Sequence, residues 1–114
     1  MMSSEQHDIR DRVVVSEDTD GRRYTLALDG LVIGFTEFRD RGEQRIFFHT
    51  EIDDAYAGHG LSSVLVTAAL DDVRARGRRI VPVCPLVAKF LTKHDAYQDI
   101  TDAVTPDILA YLRN

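Results

Sequence analysis

The chain has a single cysteine, Cys84. No intramolecular disulfide can form, and a structural zinc site would lack its soft ligands, so a reducing, cytoplasmic setting is expected and no metal. Positive charge is also in short supply: 14 Lys and Arg stand against 19 Asp and Glu, for a formal net charge of −5. That balance counts against a nucleic-acid binder, whose affinity rests on neutralising phosphates. No apolar run approaches the roughly 20 residues that a membrane span needs. The polar start, Met1 to Arg12, offers no apolar stretch of the kind a signal peptide carries. The sequence also lacks the Gly-Lys-Ser/Thr of a phosphate-binding P-loop and the third glycine of a dinucleotide fingerprint. It has no G-x-S-x-G elbow, which makes a hydrolase built on Ser62 or Ser63 a poor reading.

What is present fits one folded domain. The length is 114 residues, with 44% hydrophobic and 29% charged residues, the balance of a soluble globular protein and not of a disordered one. Residues 1–11 carry almost nothing to bury and are expected to form a flexible tail, leaving 12–114 as a single domain. Four apolar or alternating runs follow, opening at Val13, Arg22, Leu31 and Arg45, and Asp-Gly steps at 20–21 and 29–30 separate the first three. Such steps between alternating runs predict hairpins, because the turns need positive φ. After residue 53 the period changes from two to about 3.6, and Leu61, Val64, Leu65, Ala68 and Ala69 form one helical stripe. Gly77 ends that helix. Residues 79–84 read as a fifth strand, Pro85 to Lys93 as a short helix, and the segment from Pro106 as a last turn or two. Strand 46–52, helix 60–76 and strand 79–84 have the lengths of a right-handed crossover. The expected fold is a mixed α/β (α+β) sheet: an antiparallel meander followed by a β-α-β-α unit.

Three groups of residues could carry chemistry. Gly58-His59-Gly60 stands between a strand end and a long helix, with Ser62 and Ser63 just after it. Glycines allow close backbone approach, and a helix start offers unpaired N–H groups to a phosphate; plain strand-to-helix punctuation fits the same residues. Cys84 precedes Pro85, so its sulfur is expected near a helix N-terminus, where thiolate is favoured; a simple packing role is the other reading. His49 and Glu51, two apart on a strand, share a face, and Phe47 is expected on that face with them, leaving Ile46, Phe48, Thr50 and Ile52 on the other. A His and a carboxylate side by side are able to take a proton from an amine; a solvated or hydrogen-bonded sheet face fits the same pair equally well. The cluster Arg74, Arg76, Arg78 and Arg79 is expected to be a solvated end that complements the helix dipole.

Joined in order, these stretches resemble a known family. His49-Thr50-Glu51-Ile52, then Gly58-His59-Gly60, an apolar helix, Pro82-Val83-Cys84-Pro85 and His94-Asp95-Ala96-Tyr97 are similar to the short, single-domain branch of the GNAT acetyltransferase superfamily. The resemblance runs from His49 to Tyr97. It departs from the family pattern at Ala57, where Arg or Gln is usual, at Ser62, usually Gly or Ala, and at Asp95, usually Pro. It implies the GNAT fold and an N-acetyltransferase that takes acetyl-CoA as acyl donor and an amine, small molecule or protein, as acceptor. It further implies catalytic roles for Cys84, His49 and Glu51. The cofactor would lie against Ile52, Gly58, His59, Gly60, Leu61, Ser62, Ser63, Cys84, Phe90, His94 and Tyr97, with its pantetheine arm between two parallel strands. The competing reading is a CoA-binding or interaction module without efficient catalysis.

Overall fold

Three tight turns build the first half of the molecule. In the computed structural model, which describes residues 9–114, β1 (Val13–Asp18), β2 (Arg23–Leu28), β3 (Leu31–Arg41) and β4 (Gln44–Ile52) form an antiparallel meander. Asp29 and Gly30 both adopt positive φ (51° and 86°) in a two-residue loop between the paired Leu28 and Leu31. This is the loop conformation whose twist matches that of the flanking strands. Helix α1 (Leu61–Ala75) then crosses over to β5 (Arg79–Pro82), which lies parallel to β4 at the edge of a sheet of order β1-β2-β3-β4-β5. Helices α2 (Pro85–Lys93) and α3 (Pro106–Arg113) complete the described elements. The mixed sheet and its β-α-β-α unit agree with the sequence.

One face of the sheet is filled by α1. Leu61, Leu65, Val66, Ala69, Leu70 and Val73 pack on Tyr24, Leu26, Phe38 and Phe47, and α2 adds Val87 and Phe90. Each Leu, Val and Phe among these contributes roughly 1.5–3 kcal/mol on burial. On the opposite face α3 covers only one end, where Ile108 meets Ile46 and Val81.

Two features of β4 shape the site. Its pairing with β3 slips between Glu37↔His49 and Phe38↔Phe47, leaving Phe48 as an extra residue. A bulge of this kind reverses which face the following residues take. Phe47 points to α1, but past the bulge the α1 side belongs to Thr50 and Ile52, while His49 and Glu51 lie on the side of Ile46. The expected grouping of Phe47 with His49 and Glu51 is therefore wrong, because strict alternation does not survive the inserted residue. Second, the β4–β5 ladder ends at Phe47↔Pro82. Proline brings no N–H to continue it; the Cys84 N–H makes one last bond to Phe47 O at 2.8 Å, and the rest of β4 runs on without a β5 partner.

The arginine cluster faces solvent as expected, Arg74 and Arg76 exposed and Arg78 and Arg79 half-buried, and it is also paired. Arg74 pairs with Asp99, Arg76 with Glu17 and Asp72, Arg78 with Asp40, and Arg79 with Asp102. These bonds fasten the end of α1 to the strands and to the C-terminal segment. Finally, part of the expected tail is ordered. Ile9–Asp11 makes a 3-10 turn, closed by Arg12 N–H to Ile9 O at 3.0 Å, and Ile9 packs against the main core. The remainder of that tail, 1–8, lies outside the described residues.

Candidate acyl-donor and acceptor site

The loop between β4 and α1 is built from short-range signals. Asp53 caps a 3-10 turn (Asp54–Tyr56), its Oδ1 accepting from Ala55 N–H at 2.9 Å. Gly58 and Gly60 then take left-handed backbone conformations, with φ of 85° and 71°, which other L-residues reach only with strain. Gly60 is the N-cap of α1, so no side chain caps the helix. The first-turn N–H groups of Leu61, Ser62 and Ser63 thus carry the partial positive charge of a helix start without a capping oxygen.

Two cavities meet at this turn. One, of 340 Å3, is lined by Arg10, Gly58, His59 and Gly60. The other, of 320 Å3, is lined by Ile52, Tyr56, Ala57, Gly58, Gly60, Leu61, Ser62 and Leu86. The first is polar and cationic, and the second is largely apolar and reaches the β4 end and α2. A Cβ placed on Gly58 would meet nothing within 4 Å, so the turn is open to a ligand. An anionic group joined to an apolar arm fits this pair of cavities.

Cys84 is the N-cap of α2 and is 4% exposed. Its Sγ donates to Thr50 Oγ1 at 3.4 Å, and Thr50 in turn shares a 2.8 Å hydrogen bond with Thr36. His49 and Glu51 flank β4 from the other side. There His49 Nε2 and Glu51 Oε2 are 2.6 Å apart, both side chains are exposed, and the His49 ring lies 5.9 Å from that of Phe35. Away from α3, this face also holds a 380 Å3 cavity lined, among the described residues, by Arg23, Val32, Ile33, Gly34, Phe35, Glu51 and Asp53.

The remaining sequence-predicted residues are set apart from the turn. Ser63 is exposed on α1, one position past the cavity-lining Ser62. His94 stacks on Phe90 at 4.0 Å between ring centres, and its Nδ1 is 2.9 Å from Phe90 O. Tyr97 donates to Asp71 Oδ1 on α1 at 2.6 Å. Burial and that hydrogen bond push the Tyr97 phenol up to about 12. Neither cavity at the glycine turn is lined by Phe90, His94 or Tyr97; they dock α2 and the chain after it onto α1. Sequence reasoning missed Arg10, Tyr56 and Leu86. Arg10 sits in a segment without periodicity, and the other two become neighbours of the turn only through the fold.

Comparison with known proteins agrees with this fold. The model of the family described as GCN5-related N-acetyl-transferase matches residues 23–100. No curated protein matches the chain by sequence. Among solved structures, a GCN5-like protein from Staphylococcus aureus superposes with a TM-score of 0.64 at 18% identity, covering 83% of this chain and 93% of its own. A ribosomal-protein-alanine N-acetyltransferase from Brucella melitensis biovar Abortus gives 0.52 at 21% identity, over 73% of this chain and 62% of its own. The ribosomal-protein-S18-alanine N-acetyltransferase from Escherichia coli gives 0.53 at 16% identity, over 84% of this chain and 73% of its own.

Proposed function

Because the chain belongs to the GCN5-related N-acetyltransferase family, we propose that it binds acetyl-CoA at the Gly58-His59-Gly60 turn and transfers the acetyl group to an amine. The observation that carries this reading is the meeting of a polar and an apolar cavity at an uncapped helix start, beside the end of β4 that has no β5 partner. Backbone amides of Gly58 to Ser62 would hold the diphosphate, as helix starts hold anions. Ile52 and Leu86 would line the path of the pantetheine arm. The bound thioester supplies an activated acetyl carbon.

The chain's own residues do the rest. The β4 segment past Phe47, freed from β5, offers backbone donors to a developing oxyanion. His49 and Glu51, joined at 2.6 Å, form a pair that takes the amine proton directly or through water. As the C–N bond forms and the C–S bond breaks, the departing thiolate is protonated from solvent. The acceptor approaches over the open face of β3 and β4, where Phe35 and Glu51 wall a cavity. Cys84 packs beside this path from the α1 side, with its thiol committed to Thr50.

Calorimetric titration with acetyl-CoA, followed by free-thiol release across a panel of amines, tests the reading. Binding, turnover and a large loss of kcat in Glu51→Gln are expected. No binding at millimolar acetyl-CoA would overturn it, and binding without thiol release would leave the non-catalytic module instead.

A further inference from the structure

The geometry points to Arg10 as the side chain that binds the diphosphate of CoA, an inference that rests on the cofactor reading above. The turn itself brings no fixed positive side chain. Ala57 precedes it, and His59 is its only titratable residue. Two exposed carboxylates, Asp53 and Asp54, stand just before it in a chain of net charge −5. A doubly charged anion at this place therefore meets a locally negative surface unless a cation is supplied from elsewhere.

Arg10 supplies it from a distant part of the sequence. A Cβ placed on Gly60 would lie 3.8 Å from both Cδ and Nη1 of Arg10, and the guanidinium forms one wall of the 340 Å3 cavity. Its neighbours hold it there: Ile9 is packed against the core, and Arg12 is paired with Asp29 in the β2–β3 turn. The short 3-10 turn between those anchors fixes where the Arg10 backbone stands, so its side chain starts within reach of the glycine turn. A planar guanidinium can donate two parallel bonds to phosphate oxygens, which would add to what the helix-start amides offer. The diphosphate, and not the 3′-phosphate, is the group concerned, because this cavity shares Gly58 and Gly60 with the apolar cavity that would take the arm.

Calorimetry on the full chain with CoA and with 3′-dephospho-CoA tests this without reference to turnover. Arg10→Ala should weaken both ligands by about tenfold, the scale of a lost charge-assisted hydrogen bond. Arg10→Lys should lose less than Arg10→Gln, and added salt should narrow the gap between wild type and Arg10→Ala. The melting temperature of each free variant separates lost binding from lost folding, and Arg10→Gln keeps the stem if Arg10→Ala does not fold. Wild-type affinity in Arg10→Ala and Arg10→Gln would overturn the assignment, as would a loss seen with CoA but absent with 3′-dephospho-CoA. Failure of the wild-type chain to bind either ligand would instead overturn the cofactor reading, and this inference with it.

Discussion

The thiol of Cys84 lies 3.4 Å from Thr50 Oγ1 and donates to it, joining the start of α2 to β4 beyond the bulge. A thiol that is 4% exposed and already engaged in a hydrogen bond is poorly placed as an acyl carrier. Cys84→Ala should keep its turnover and lose about 1 kcal/mol of stability, the scale of one buried group. Intact-mass measurement after incubation with acetyl-CoA should show an unmodified thiol. An acetylated Cys84 peptide, together with lost turnover in the variant, would reverse this assignment.

Gly34 on β3 is paired with Ile52 at the end of β4. A Cβ there would stand 2.6 Å from Ile52 Cδ1 and 2.9 Å from Glu51 O. The first contact is with a flexible side chain, but the second is with backbone and has no easy escape. Gly34→Ala should cost about 1–3 kcal/mol, as overpacking does, and should weaken acetyl-CoA by shifting Ile52. Urea unfolding and ligand titration measure the two effects; a variant as stable as wild type would show that β4 yields freely.

Arg45 is buried at 3% exposure. It donates to both carboxylate oxygens of Asp40 (2.9 and 3.0 Å) and to Tyr24 OH (2.7 Å), with its guanidinium 3.9 Å over the Phe38 ring. Tyr24 in turn donates to Asp72 on α1 at 2.6 Å. Removing one partner of a buried ion pair typically costs about 3–5 kcal/mol, and Arg45→Ala should fall in that range. Arg45→Lys should recover only part of it, since an ammonium does not reproduce the two-pronged bond. A loss under about 1 kcal/mol in chemical denaturation would contradict this account.

Tyr97 should make the fold sensitive to alkali. Burial first, and then its bond to Asp71, raise the phenol to about 12 in the folded protein, against about 10 in an unfolded chain. The unfolded state thus loses its proton first. The stabilisation is fully present below pH 10 and is lost as pH rises from there through 12. Tyr24 is raised too, by burial and by its bond to Asp72. Stability against urea should therefore fall across that window, and less steeply in Tyr97→Phe. An unchanged slope in that variant would remove Tyr97 as a cause.

Much of the scaffold was legible because its signals are local. The Asp-Gly step at 29–30 dictated a hairpin through its positive φ values, and the change of period after residue 53 marked α1. The candidate site was legible in part. Gly58 and Gly60 adopt the left-handed conformations for which glycine is suited. His49 and Glu51 share a face, yet Phe47 does not join them, because no residue type announces the bulge at Phe48. That bulge follows from how β4 satisfies β3 and the core together.

The sequence by itself determined the order of strands and helices, the glycine turn before α1 and the adjacency of His49 and Glu51, since each depends on residues close together in the chain. Only the tertiary structure decided that Cys84 faces Thr50, that β4 outruns β5 beyond Pro82, and that Arg10 stands against Gly60. Those relationships join residues far apart in the chain. They are set by packing and strand register, which local propensity does not encode.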